Sequence, residues 1–433
     1  MLTRKHKNLY QKKHLLIALA LIFGVIAFST YLFTRSNMKS SNYWNANIKF
    51  SENHTLFFQI ETISTEESDN FEAIAIINGD EKIQLTSQGF DENAKKFIWT
   101  FPFQSEIRLN SKNDFTGVFV KTENNESYPF EILHKTKSRK KINRFPNSVF
   151  SSTPNENEVL LSDRFSLKLK SSSLNPKAGI AEFQRDPKTN EYTGSILTQT
   201  GDYRYLAGTR MGNQLYISTF DGVHAYSFLI NIKENGHIEG IHFSGESYSE
   251  PFTGVPDSTI MLDDPYKITK IINDKSKLDI ILPEYKSGEL VRVPIGEGKV
   301  TLLQVMGSWC PNCLDESSFF NELSDFDNLN IYALAFEKNK DRLRSLNSIK
   351  RIESYLDLKY PILFAGKAQK SEVERLLPIS NFISYPTYLL FDKKGDLVEI
   401  HAGFSGPATK GYSKFTSEFR SKIQSLISHS HGQ

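Results

Sequence analysis

Between residues 46 and 270, apolar side chains recur at every second position in short runs: TLFFQIETI, EAIAIING, KFIWTFPF, GVFVKT, FSLKLK, GIAEFQR, QLYISTF and HAYSFLINI. A period of two puts alternate residues on one face, the pattern of a half-buried strand. Asn-Gly-Asp, Asn-Asn-Glu-Ser, Asp-Gly and Glu-Asn-Gly turns separate the runs. Strands at this spacing, with no helical period between them, predict an all-β region over 46–270. The expected form is an antiparallel sandwich or barrel in two halves, with the basic stretch 135–141 (KTKSRKK) as the loop between them.

Near residue 270 the period changes. A strand over 299–306 leads into Trp309-Cys310-Pro311-Asn312-Cys313 and a helical stretch over 314–323. Next come a strand (331–336), a helix (about 341–356), a strand (360–364) and a short helix (about 370–377). Two last strands, 387–391 and 397–401, flank Asp392-Lys393-Lys394-Gly395, a hairpin signal. A closing helix sets Phe415, Phe419, Ile423 and Leu426 on one face. Strands alternating with helices predict an α/β domain over 276–433, a mixed central sheet flanked by helices.

The beginning of the chain has another pattern. The 19 residues from Leu15 to Phe33, LLIALALIFGVIAFSTYLF, carry no charge and could span most of a ~30 Å hydrocarbon core. Five basic residues precede them (Arg4, Lys5, Lys7, Lys12, Lys13), and only Arg35 and Lys39 follow closely. The positive-inside rule makes 1–14 a cytoplasmic tail and 15–33 a signal anchor, with the rest of the chain outside the bacterial cytoplasmic membrane. The alternative is a cleaved leader with Ala27 and Ser29 at its cleavage site. Residues 34–45 are polar and read as a linker.

Charge bears on the partner. The chain of 433 residues has 52 Lys/Arg and 50 Asp/Glu. Seven of the basic residues and none of the acids fall in residues 1–39, so the remainder sums to 45 − 50 = −5. A mildly acidic body argues against nucleic acid, which would want a clustered basic face. Two cysteines exclude a disulfide-stapled scaffold, and both lie within one Cys-x-x-Cys.

At a strand-to-helix junction that spacing puts the two sulfurs one helical turn apart. Cys310 falls at the helix N-terminus, where free N–H groups and the macrodipole stabilise a thiolate, and so is the attacking thiol. Cys313, one turn deeper, is the resolving thiol that attacks the mixed disulfide and releases the product. Pro311 starts the helix without wasting an N–H. A zinc site would need four ligands, and no second cysteine pair is present. A copper-delivery protein of the synthesis-of-cytochrome-oxidase type would carry three residues between its cysteines and a histidine before the late strand. Here His401 ends the following strand, and His429 and His431 stand in the tail. An inert buried thiol pair is the remaining alternative to redox exchange.

Pro386 precedes a strand, where a cis X–Pro bond would turn the chain toward the cysteines; an ordinary trans proline is the alternative. Trp309, Tyr385 and Thr387 are the candidate substrate contacts, Trp309 as a flat apolar surface and Tyr385 through its backbone. Glu316, three residues after Cys313, lies one turn along the same helix. It either relays protons to the resolving thiol or is a solvated acid, as Asp315 is expected to be. Gln304 occupies the strand position where thioredoxin has a buried proton-handling Asp, and glutamine cannot titrate.

The segments GKVTLLQVMGSWCPNCLDE and YPTYLLFDKKGDLVEIHAGFSGP, with the helices and strand between them, resemble the membrane-anchored TlpA-like (ResA-like) thiol–disulfide oxidoreductases over roughly 276–428. The resemblance implies a thioredoxin-like fold, redox-active Cys310 and Cys313, a cis-proline loop at Pro386 and a helix glutamate at Glu316. It implies no cofactor beyond the Cys310–Cys313 disulfide, protein thiol or disulfide substrates, and reducing power from a membrane-embedded thiol donor. The family usually has proline two residues after that glutamate; Ser318 stands there, which predicts a straighter helix. Two other functions compete. A thiol peroxidase would carry Thr three residues before its cysteine, where Gly307 stands. A binding or scaffold protein would use the cysteine-free β-rich region to recognise a partner.

Overall fold

The computed structural model describes residues 39–65, 73–91, 96–111, 116–136, 158–187, 189, 191–272 and 278–428. The expected basic tail and membrane segment, most of the basic stretch 135–141, His429 and His431 lie outside them. Among the described residues no helix is long and apolar enough to cross a membrane.

Eight antiparallel strands, from Lys39–Lys49 to Glu126–Thr136, pair each with the next. The first also pairs with the last, closing a barrel that leaves no open edge. Alternate residues point inward: Trp44, Ala46 and Ile48 from the first strand, Leu56, Phe58 and Ile60 from the second, Tyr128 and Phe130 from the last. The linker expected over 34–45 is corrected here, because the barrel already begins at Lys39. Trp44 is buried in the barrel and its Nε1 donates to Thr62 Oγ1 at 2.9 Å. The text SSNYWN is polar, yet Asn42 and Asn45 are buried with it.

A nine-stranded sheet follows, from Arg164–Leu169 to Tyr248–Pro256. Its first strand pairs with its last, and Lys177–Arg185 pairs with both the first strand and Glu191–Thr198. Eight of the strands therefore form a second ring, with the two-residue strand Gly201–Asp202 hanging from it as a spur. Strand Gln214–Phe220 is buried along its whole length, because its second face lies on the first barrel. Ser218 Oγ donates to Phe57 O at 2.6 Å, and Phe220 enters the barrel core. Asn78 brackets the Phe220 backbone, with Nδ2 donating to its carbonyl at 3.0 Å and Oδ1 accepting from its amide at 3.1 Å.

The third unit is α/β. Its five strands lie in the order Ile362–Lys367, Leu329–Glu337, Val300–Met306, Thr387–Phe391, Leu397–Ala402. The first two junctions are parallel and the last two antiparallel. The central strand Val300–Met306 is buried throughout and divides two apolar layers. Val300, Leu302 and Met306 face helices α1 (Pro311–Asn321), α2 (Arg342–Leu356) and α4 (Tyr412–Ser428), which contribute Phe319, Ile349 and Phe419. Leu303 and Val305 face the other way, toward α3 (Lys370–Leu376) and its Val373. The same period of two points Gln304 at α1.

Candidate active site

The sequence Gly307-Ser308-Trp309-Cys310 connects the central strand to α1. Gly307 must lack a side chain, since a Cβ there would collide with the indole nitrogen of Trp309. Cys310 is the N-cap of α1 in extended conformation, with Pro311 at the first helical position. The helix starts three residues before the expected 314, so the motif itself forms its first turn. No break interrupts α1 around Ser318.

Cys310 and Cys313 are joined by a disulfide, with Cα atoms 5.2 Å apart. The Cys313 N–H donates to Cys310 Sγ at 3.2 Å, and Cys310 is slightly exposed whereas Cys313 is fully buried. When the disulfide opens, this N–H and the helix N-terminus favour a thiolate on Cys310 over one on Cys313. The Tyr385–Pro386 bond is cis, and the Tyr385 carbonyl oxygen lies 3.6 Å from Cys310 Sγ. Trp309 is fixed by its Nε1–H to Phe336 O at 3.0 Å, with Lys338 Nζ 3.6 Å from its ring centroid and the Tyr385 ring packed edge-on against it. Thr387 is different: it is fully buried and its hydroxyl donates to Ser384 O at 2.9 Å. Its side chain ties the proline loop down, which corrects its reading as a substrate contact.

Glu316 is fully buried beneath the cysteines' helix turn, which rules out the solvated alternative. Oε2 accepts from Gln304 Nε2 at 2.9 Å, while Oε1 has no hydrogen-bond partner among the described residues. The Gln304 amide is oriented from its other end, where Oε1 accepts from Ser317 Oγ at 3.0 Å and Tyr360 Oη at 3.3 Å. Burial drives the Glu316 carboxyl up to about 8, against a weaker downward pull from Gln304. At neutral pH it therefore holds its proton.

Three contributors are absent from the motif. Glu337, at the end of its strand, accepts from Ser308 N at 2.9 Å and Ser308 Oγ at 2.7 Å and so holds the loop before Cys310. Burial pushes its carboxyl up to about 7. Phe103, from a barrel loop, packs in the same apolar cluster as Cys310 and Cys313, and its carbonyl accepts from Arg351 of α2 at 3.3 Å. Arg204, from the second ring, reaches Asp315 with both arms of its guanidinium, Nε–Oδ2 2.8 Å and Nη2–Oδ1 2.7 Å.

Asp315 is thus not a solvated acid, which corrects that expectation: a cation 111 residues earlier in the chain buries it. Arg204 also meets Glu81 of the barrel at 2.5 Å and Asp221 at 3.3 Å, so one guanidinium joins all three units. Burial lifts Glu81 to about 7, with Arg204 opposing. Burial also works against ionised Asp221, but His224 and Arg204 outweigh it and hold that carboxyl at about 2. Removing the cation from buried carboxylates is costly. Arg204→Met is expected to lower the stability of the folded chain by about 3 kcal/mol, measured as a displaced urea midpoint. An unchanged midpoint would show that the three acids do not depend on Arg204.

No family model matches the sequence. Over 122 residues the chain is 30% identical to thioredoxin-like protein YneN of Bacillus subtilis (strain 168), a match that takes in 27% of this chain and 64% of the length of that protein. Among solved structures, the exposed lipoprotein thioredoxin of Streptococcus pneumoniae aligns at 23% identity with a TM-score of 0.25, over 34% of this chain and 98% of that one. A secreted Mycobacterium tuberculosis disulfide oxidoreductase homologous to E. coli DsbE aligns at 15% identity with a TM-score of 0.27, over 34% and 97%. Part of the chain is therefore homologous, at low identity, to a thioredoxin-like protein.

Proposed function

We propose that this chain is a thiol–disulfide oxidoreductase of the TlpA-like type, held by residues 15–33 in a bacterial cytoplasmic membrane and acting as a reductase of protein disulfides on its outer side. The observation that carries this reading is the Cys310–Cys313 disulfide at the start of α1, with the Tyr385 carbonyl beside Cys310 and a buried acid behind Cys313. The thioredoxin-like relative supports it, and the uncharged run from Leu15 to Phe33 supports the anchor.

In the forward direction the dithiol is the starting state. Cys310 thiolate attacks one sulfur of the substrate disulfide; the substrate S–S bond breaks, a Cys310–substrate bond forms, and one substrate thiolate leaves. Cys313, losing its proton, attacks Cys310 Sγ, which closes the Cys310–Cys313 bond and expels the second substrate thiolate. Two electrons pass to the substrate, whose two released thiolates take their protons from solvent. Glu316, neutral beside the disulfide and ionised once it has given its proton to Cys313 on reduction, is the group placed to take that proton back. The backbone of Tyr385 and the face of Trp309 are the surfaces a substrate strand would meet. A membrane-embedded thiol donor would return the disulfide to dithiol.

The test is the equilibrium of the Cys310–Cys313 couple against glutathione or dithiothreitol, on the full chain because the barrel begins as early as Lys39. A potential near or below about −230 mV is expected for a reductase. A value near about −120 mV would reverse the direction, and no measurable couple would refute the enzyme reading.

A further inference from the structure

The spur of the second ring lies across the first turn of α1. Asn312, between the two cysteines, sends its Nδ2 to Asp202 O at 3.0 Å and to Asp202 Oδ1 at 3.1 Å. Asp202 Oδ1 also accepts from Arg204 N at 2.7 Å, and Oδ2 accepts from Gly406 N at 2.6 Å. Asp202 is buried, so this carboxylate is a fixed cross-tie between the motif, its own turn and the loop after the last strand. The neighbouring Gly201 is needed for that approach: its φ is +134°, and a Cβ would sit 3.3 Å from Asn312 Nδ2. Two residues past Cys313, Arg204 takes Asp315. The second ring therefore grips α1 at a residue inside the motif and again just after it.

We propose that Asp202 is a positioning residue for the Cys310–Cys313 couple: its charge, held against the motif and partly screened by Asn312, sets how strongly the start of α1 stabilises the reduced form. This rests on the oxidoreductase reading above and gives the β-rich region a part in the chemistry. The sign follows from Coulomb's law. Asp202 places negative charge beside the helix end that must stabilise the Cys310 thiolate, and so opposes the thiolate. Burial and then Asp315 push the Asp202 carboxyl up, to about 6, with hydrogen bonds from Arg204 and Gly406 and the charge of Arg204 opposing, so it is ionised at pH 7.5. The Asn312 amide attenuates that charge by donating to it.

The experiment equilibrates the full chain with glutathione at pH 7.5, where the Cys310–Cys313 disulfide and two glutathione thiols exchange with the dithiol and one glutathione disulfide. The Cys310 thiol pKa is read in parallel from its alkylation rate. Asp202→Ala is expected to shift the constant about tenfold toward the dithiol, about 30 mV, and to lower the thiol pKa. Asn312→Ala, which leaves the carboxylate without its attenuating donor, is expected to shift it about threefold the other way. Opposite signs separate positioning from general loosening, which would move both variants alike. If both constants stay within twofold of the parent, or move in one direction, the inference is overturned. Should Asp202→Ala fail to melt cooperatively, Asn312→Ala decides alone. A parent chain with no couple refutes the oxidoreductase reading, a result distinct from a parent couple that these substitutions leave unmoved.

Discussion

Cys313→Ser is expected to turn the protein into a covalent trap. With the resolving thiol gone, Cys310 attacks a substrate disulfide and stops at the mixed disulfide, which accumulates and is released by dithiothreitol. Cys310→Ser should form no such adducts, and in both variants turnover of a protein disulfide should fall to the uncatalysed background. The asymmetry follows from position. Cys310 caps α1 at the slightly exposed end and receives the Cys313 N–H, whereas Cys313 is fully enclosed and cannot be approached by a protein substrate. Non-reducing gels and mass spectrometry of the two single variants give the answer. Adducts on the Cys310→Ser variant alone would reverse the assigned roles. Absence of adducts on both would leave the cysteines without a protein substrate.

What was legible beforehand was local. Cys310, Cys313 and Glu316 lie within one helix, so spacing and the 3.6-residue period suffice to stack them. Gln304 follows from the alternation of a strand whose every residue is apolar or buried. The errors come from contacts distant in sequence. Asp315 reads as a surface acid unless Arg204 is known to lie against it, and nothing near position 204 announces that. Asp202 looks like an ordinary turn acid, its partner Asn312 being 110 residues away. Residues 39–45 of the first strand read as linker because their polar text is buried only by closure, when Lys39–Lys49 pairs with both the second strand and Glu126–Thr136. Closure of a barrel is a statement about the pairing of the two ends, and alternation within a run does not carry it. Thr387 departs for a smaller reason: it is buried and its hydroxyl is already held by the Ser384 carbonyl.

Glu316 ties the chemistry to stability with a definite sign. Its folded-state pKa is about 8, raised by burial from an ordinary 4.5. Between those two pH values the folded protein keeps a proton that the unfolded chain has released, so folding stability is full below about 4.5 and falls as pH rises toward about 8. The slope is about 1.4 kcal/mol per pH unit, and the loss over the interval is on the order of 4–5 kcal/mol. Glu316→Gln keeps the shape and has nothing to titrate. Relative to the parent, the oxidised variant should therefore gain stability steadily from pH 5 to pH 8 and no further above it. Asp202, Glu81 and Glu337 are also raised, but they are present in both proteins and cancel in the difference. Urea titrations at pH 5 and 8.5 measure it, and parallel curves would mean that this carboxyl is not perturbed. The same proton has a use. A donor that reopens the disulfide leaves Cys313 as a buried thiolate, and a neutral acid one turn away can protonate it where water cannot reach; in the forward direction the ionised acid takes that proton back. Glutamine does neither, so the variant should resolve mixed disulfides about 100-fold more slowly while Cys310 alkylates at its parent rate. The stability the protein forgoes by burying an ionisable group at this position is the cost of a proton store beside the thiol that the solvent cannot serve.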